Sequence, residues 1–306
     1  MGKKKVKVSA SDAREVLLVR EGFQLADIDP DSTPGLEGDN GDVKEVGREL
    51  FTERDEELAD LQERMYAQAR AGNPDAPSLL VVLQGMDASG KGGVVRHVFG
   101  SVDPQGLQIT SFKAPTKEEL AHDFLWRVEP HAPKPGFIGV FDRSHYEDVL
   151  IQRVREFAPP EEIERRYGAI VDFEQRLVAS GTRVLKFMLH VGPEEQAERL
   201  LERIDRDDKH WKYNTGDLDE RALWGEYAEA YQIALERTST EDAPWWVIPA
   251  NKKWYARLAV KAVLLRTLRD MNLEWPEVEL DQDAERERLE EPTRLLKESL
   301  KRAADR

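Results

Sequence analysis

Apolar residues are spaced along this chain in two distinct rhythms. Between Asp42 and about Arg70, Leu50, Phe51, Leu58, Leu61 and Met65 recur at three- and four-residue steps, which predicts one long amphipathic helix. After the breaker AGNPDAP the rhythm changes. The short, mostly apolar runs SLLVVLQ (78–84), LQITSFK (107–113), FIGVFD (137–142), TRVLKFMLHV (182–191) and WWVIPA (245–250) read as strands covered on both faces. Between them lie segments of helical character at 91–100, 117–128, 145–157, 160–180, 193–206 and 218–237, and a further helix is expected from Lys252 to about Asn272. Strands alternating with helices predict an α/β fold, a central parallel sheet with helices on both faces. The Asp-, Pro- and Gly-rich stretch DIDPDSTPGLEGDNGD marks residues 1–41 as a flexible arm. Residues 276–306 are mostly charged and read as a solvated helical tail, which leaves 42–275 as the main domain.

Composition narrows the function. With 306 residues, 40% of them apolar or aromatic and 34% charged, the chain is expected to be soluble and globular, and no apolar run approaches a membrane span. The basic start MGKKKVKV has no hydrophobic stretch after it, so no signal peptide is expected. Zero cysteines exclude disulfides, thiolate metal sites and a cysteine nucleophile, and fit a cytoplasmic location. A formal charge of −15 argues against nucleic-acid and membrane-surface partners, which need an extended basic field. A polyanionic substrate would need a local basic patch instead.

The chemistry begins where the first buried strand ends. Gly85 to Lys91 fits G-x-x-x-x-G-K between a strand and a helix. There Gly85, Gly90 and Gly92 let backbone N–H groups approach phosphate oxygens, and Lys91 reaches the transferred group. An ordinary glycine-rich turn is the plainer alternative. The position after Lys91, usually Ser or Thr with its hydroxyl on Mg²⁺, is Gly92. The loop carries its own carboxylate, Asp87, which either replaces that hydroxyl as a metal ligand or caps the following turn. Asp142 ends another apolar strand, where a second metal-linked carboxylate belongs, and Arg143 beside it can neutralise a transferring phosphoryl group. His145 reads as a surface histidine at a helix start rather than a base, because a phosphate acceptor oxygen is already anionic.

A basic patch lies downstream. Arg199, Arg203 and Arg206 share one helical face, with Glu198, Glu202 and Asp205 beside it, and Lys209 and Lys212 flank His210 and Trp211. This is either a salt-bridged solvated helix or a mobile lid over phosphates, at about 199–217. Trp211 could equally dock such a loop on the core. Lys113, Thr116 and Arg127 are candidates for holding an acceptor, whereas Phe124, Leu125 and Trp126 read as core. PANKKWYARL (249–258) could touch a ligand or simply start a helix.

Taken together, GMDASGKGG, SFKAPT, HDFLWR, FDRSHYEDV, KHWK and APWWVIPANKKW resemble the type-2 polyphosphate kinases, over roughly residues 42 to 275. The resemblance implies a three-layer, thymidylate-kinase-like P-loop fold with a helical lid, and a divalent cofactor, Mg²⁺ with Mn²⁺ as its substitute. It implies reversible transfer of the terminal phosphoryl group of inorganic polyphosphate to AMP or ADP, yielding ADP or ATP, and assembly into a homo-oligomer, a dimer or tetramer. By motif, Asp87 and Asp142 match the metal-binding acids, and Lys91 and Arg143 the phosphate-stabilising cations. Arg199, Arg203, Lys209 and Lys212 match lid positions lining a polyphosphate channel. Arg143 and Glu147 join Lys113, Thr116 and Arg127 as nucleotide-binding candidates. YED at 146–148 and KHWKYNTGDL at 209–218 resemble the group accepting both AMP and ADP, while Asp142 departs toward the ADP-specific group. Two alternatives stand beside this reading: an ATP-dependent nucleoside monophosphate kinase, and a catalytically silent P-loop module that binds polyphosphate.

Overall fold

The computed structural model describes residues 6–8 and 13–304. The lysine-rich start at residues 1–5, with the leader question attached to it, lies outside the described residues. Two-residue strands β1 (Lys7–Val8) and β2 (Leu36–Glu37) pair antiparallel, with helix α1 (Ala13–Val16) between them in sequence. Helices α2 (Asn40–Thr52) and α3 (Asp55–Arg70) follow.

The central sheet holds β3 (Ser78–Gln84), β4 (Leu107–Ser111), β5 (Ile138–Asp142), β6 (Thr182–His190) and β7 (Trp245–Pro249). All pair parallel, in the spatial order β4-β5-β3-β6-β7. The helices that go with them are α4 (Lys91–Val98), α5 (Ile151–Val154), α6 (Pro160–Ala179), α7 (Pro193–Asp205), α8 (Gly216–Arg221), α9 (Trp224–Thr238) and α10 (Lys253–Asp270).

Every residue of β3 is buried, because successive side chains enter different cores. Leu79, Val81 and Leu83 share one core with Val260, Val263 and Leu264 of α10; Leu80 and Val82 share the other with Tyr167 and Ile170 of α6 and Ala230 of α9. The result is three layers, helix on sheet on helix, with the loops at the carboxyl ends of β3 and β5 side by side. Residues 275–306 form a separate unit, and its helix α11 (Gln282–Ala304) buries no side chain. Among the described residues no helix is long and apolar enough to cross a membrane.

Four sequence expectations need correction. The helix expected over 42–70 is broken at Glu53–Arg54. Buried Lys261, reaching in from α10, donates to the Phe51 carbonyl oxygen (2.8 Å) and pairs with Asp55, so one cation ends α2 and starts α3. The segment 117–128 is not a helix beyond a turn at Glu119–Ala121: the Asp123 carboxylate accepts from the Leu125 N–H (3.1 Å) and starts a new turn, and Phe124 and Leu125 are buried consecutively. The segment 145–157 divides into a 3₁₀ turn at His145–Asp148 and the single turn of α5, since Tyr146, Asp148, Val149 and Leu150 are all buried and no one helical face could bury them. The arm expected as flexible over 1–41 contributes Leu17, Val19, Leu25 and Leu36 to the two cores. Its apolar run reaches the free edge of β7, where the Val19 N–H donates to the Trp245 carbonyl and the Val247 N–H to that of Leu17.

Candidate active site

The phosphate-type loop leaves β3 at Gly85, which has φ 147° and no room for a side chain: a Cβ there would stand 2.7 Å from the Leu189 carbonyl oxygen. Gly90, with φ 111°, makes the turn into α4. The loop is fastened from outside. Gln196 of α7 donates to the Asp87 carbonyl (2.9 Å), and Arg199 Nη1 donates to those of Ala88 (2.9 Å) and Ser89 (2.8 Å). With its carbonyls held outward, the loop keeps the N–H groups of Asp87, Ala88, Gly90, Lys91 and Gly92 without an acceptor among the described residues. A row of such donors opening a helix is an anion cradle.

Lys91 is buried, and its ammonium donates to the carbonyls of Gly85 (2.6 Å) and Met86 (3.2 Å). Burial, and then the Arg143 guanidinium, lower its pKa against the pull of Asp87, Asp142 and Glu147. An anion in the cradle would stabilise the charged form that burial disfavours.

Asp142 is paired in register with Leu83 on one side and Ser111 on the other, so its half-buried carboxylate stands beside the loop. Arg143 follows at φ 63°, uncommon for a residue with a side chain. Its Nη2 donates to Asp87 Oδ1 (2.5 Å), and its Nη1 lies 3.6 Å from Glu147 Oε2. Loop, second carboxylate and arginine thus converge as the sequence motifs suggested. Among the described residues no three carboxylate or imidazole groups form a metal cluster. The donor set still suits a hard divalent cation: one carboxylate from the loop after β3 and one from the end of β5, the Asp142 one without a donor among the described residues, and an open face for phosphate oxygens and water.

Arg143 also lines a cavity of about 430 Å³ with Lys113, Arg127, Glu147 and the apolar side chains of Leu120, Ile151 and Phe157. Four of the five nucleotide candidates therefore meet there. Thr116 does not line it: its hydroxyl and N–H form a reciprocal cap with Glu119 (3.2 and 2.6 Å). Arg127 donates to the Lys113 carbonyl (2.8 Å) and lies 3.8 Å from Asp148, whose carboxyl burial pushes up to about 6 despite Arg127 and Arg166. Trp126 is exposed and stacks on His122 instead of entering the core with Phe124 and Leu125.

Two further site expectations are corrected. His145 is not at the surface but fully buried, with Nε2 3.3 Å from Glu174 Oε1. Arg199 is not a free lid cation: it is buried, and Nε on Glu195, Nη1 on the loop and Nη2 on the carbonyls of Ala250 and Asn251 use all five of its donors. The remaining candidates at 199–217 sit around a 3₁₀ segment at Asp207–Lys212. Arg203 is paired with Asp217 (2.9 Å) and Lys209 with Glu202 (2.5 Å), while Lys212 lies over the exposed Trp211 ring. Trp211 donates to the Asp208 carbonyl and does not dock on the core. Sequence reasoning missed Gln196 and also Tyr231, whose hydroxyl accepts the Gly85 N–H (3.1 Å); a lone Gln and a lone Tyr in helices carry no motif.

Known proteins resemble this chain over most of its length. The family model described as polyphosphate kinase 2 matches residues 44–276. An AMP/ADP-polyphosphate phosphotransferase of Meiothermus ruber is 44% identical over 257 residues, 84% of this chain and 92% of that one. An ADP-polyphosphate phosphotransferase of Rhodopseudomonas palustris is 44% identical over 76% of this chain and 83% of its own. The crystal structure of polyphosphate kinase 2 from Arthrobacter aurescens TC1 superposes with a TM-score of 0.86 at 54% identity, over 90% of this chain and 96% of that one.

Proposed function

The chain belongs to the polyphosphate kinase 2 family, and from that premise we propose that it transfers the terminal phosphoryl group of inorganic polyphosphate to AMP or ADP, reversibly and with Mg²⁺. One observation carries this reading: Arg143 touches the loop carboxylate Asp87 and also lines the cavity that holds Lys113, Arg127 and Glu147. A donor phosphate on the loop and an acceptor nucleotide in the cavity would meet at that guanidinium. Arg143 and Lys91 would neutralise the charge of the moving group, and the five free loop N–H groups would hold the donor phosphates. Alignment and electrostatics suffice, because an acceptor phosphate oxygen needs no base. Asp87 and Asp142 would hold Mg²⁺, with Mn²⁺ as its substitute, and the ion would supply charge neutralisation at the phosphate oxygens. Arg203, Lys209 and Lys212 would exchange their present partners for donor phosphates. A homo-oligomer, dimer or tetramer, in the cytoplasm, with neither nucleic acid nor membrane as partner, completes the proposal.

The test is formation of ADP from AMP, and of ATP from ADP, with polyphosphate as the only donor. Turnover with ATP but not polyphosphate would assign a nucleoside monophosphate kinase instead, and tight binding without turnover a silent module. In the same assay Asp87→Asn should raise the Mg²⁺ concentration for half-maximal rate about ten-fold, the loss of one carboxylate from a two-carboxylate site. An unchanged Mg²⁺ titration would leave Asp87 only its bond to Arg143.

A further inference from the structure

Residues 275–306 have no part in the site described so far, and the family model ends at residue 276. Their helix, α11, nevertheless carries a patterned face. Arg286, Leu289, Thr293, Leu296, Leu300 and Ala303 recur at alternating three- and four-residue steps, the spacing of a coiled-coil seam. The three leucines of that seam are 67%, 58% and 60% exposed. The helix has little else to hold it. Pro292 stands in its interior, where proline is the costliest residue, and its ion pairs, such as Arg286–Asp283 and Arg294–Glu298 (both 3.1 Å), are exposed and screened. A helix is held chiefly by packing of its apolar face, and this face is uncovered among the described residues.

The charge pattern identifies what fits there. Residues 282–291 carry five carboxylates and two arginines, whereas 293–304 carry four cations and one carboxylate. Glu290 and Lys297 each follow a seam leucine, border the seam on the same side, and form no ion pair among the described residues. They stand two turns apart, about 10 Å along the helix axis, and cannot reach each other. Two copies of α11 laid antiparallel about a two-fold axis would set Leu289 against the partner's Leu300 and Thr293 against the partner's Leu296, each contact occurring twice. Glu290 would then face the partner's Lys297, and Lys297 the partner's Glu290. A parallel pair would instead set Glu285 beside the partner's Glu290 and acidic half beside acidic half, which is repulsive. The face is complementary to itself in one orientation only.

We propose that α11 is a contact helix for a second copy of this chain, paired antiparallel along the seam from Leu289 to Leu300. The proposal does not depend on the reaction assigned above. It places a contact between copies outside the part of the chain that the family model matches, on residues that the phosphate loop and the acceptor cavity do not use. Burying the seam supplies the apolar packing that α11 lacks, and the Glu290–Lys297 pairs fix which way the two helices run.

The chain has no cysteine, so the full-length variants Glu290→Cys and Lys297→Cys carry one thiol each. Co-expressed with different affinity tags, the two are treated with a short bismaleimide cross-linker. The mixed product, 290 to 297, should exceed either like product by roughly ten-fold, because paired helices hold those two thiols at high effective concentration. Like thiols would stand about 10 Å further apart along the axis. No cross-linked dimer, or mixed and like products in the proportions of random encounter, would overturn the proposal. One Glu290–Lys297 pair remains in the mixed dimer, and it is tested by reversal. Lys297→Glu in the first chain should lower the mixed yield several-fold, and adding Glu290→Lys in the second should restore it. All four side chains are exposed on α11, so folding of the main domain is not at stake. Yields indifferent to both reversals would overturn the antiparallel pairing. Turnover is measured separately: a protein inactive with polyphosphate would overturn the assigned reaction and leave the cross-linking result standing.

Discussion

Lys91→Ala should lower turnover with polyphosphate by roughly 10³-fold while AMP and ADP binding changes little. The magnitude follows from where the ammonium sits. It is buried in the loop between the carbonyls of Gly85 and Met86, and no other cation among the described residues is placed there: Arg199 reaches the loop only from outside, and Arg143 is engaged by Asp87 across its mouth. In a low-dielectric cradle one fixed charge on a transferring phosphoryl group is worth several kcal/mol, about 4 for a 10³-fold effect. The loop should survive the substitution, because Gln196, Arg199 and Tyr231 hold it by bonds that do not involve Lys91. Nucleotide binding should survive too, since Lys91 does not line the cavity of Lys113, Arg127 and Glu147. A variant retaining more than a tenth of wild-type turnover, or losing nucleotide affinity in step with rate, would remove Lys91 from this role.

How much of this was legible beforehand depended on whether a residue's partners were local. β3, β5, β6 and β7 could be read because they are buried almost throughout, and such strands are short apolar runs in any context; β4 is an edge strand of half-buried and exposed residues, so the cover expected on both its faces is not there. The loop could be read because Gly85 and Gly90 answer to backbone geometry within seven residues. What failed was set by distant side chains. Nothing between Asp42 and Arg70 shows that Lys261, some two hundred residues on, will break the helix there. The arginine face of α7 was visible, but which of its members turns inward was not: Arg199 is claimed by the carbonyls of 88, 89, 250 and 251, which only the folded sheet brings together. The same holds for His145, one residue of a motif and yet buried, because its partner Glu174 comes from α6.

That buried partner leads to the largest expected effect on stability. Lys186→Met should destabilise the fold by about 3–5 kcal/mol, a fall in Tm of roughly 6–15 °C for a domain of this size. Lys186 and Glu174 are both fully buried, 2.5 Å apart; Lys186 also donates to the Thr238 carbonyl (2.7 Å), and Tyr146 donates to Glu174 (2.8 Å). Removing the lysine leaves a carboxylate in the core with only a phenol and an imidazole to meet it, and such a charge is far more costly than the pair was useful. The same cluster should make the protein acid-labile. His145 Nε2 faces Glu174, while Nδ1 has no partner among the described residues, so a second proton would have no acceptor there; burial accordingly lowers the His145 pKa from 6.5. Glu174 is also lowered, by Lys186 and His145 against its burial. Both folded-state pKa values lie below their unfolded ones, so the unfolded chain binds more protons and stability falls as pH drops below about 6.5, first through His145 and then through Glu174. Urea midpoints at pH 7.5 and 5.5 read this directly, and His145→Gln should flatten the first part of the fall. A Lys186→Met variant that unfolds within 1 kcal/mol of wild type would mean that Glu174 takes up a proton on folding at little cost, and its midpoint would then rise, not fall, toward low pH.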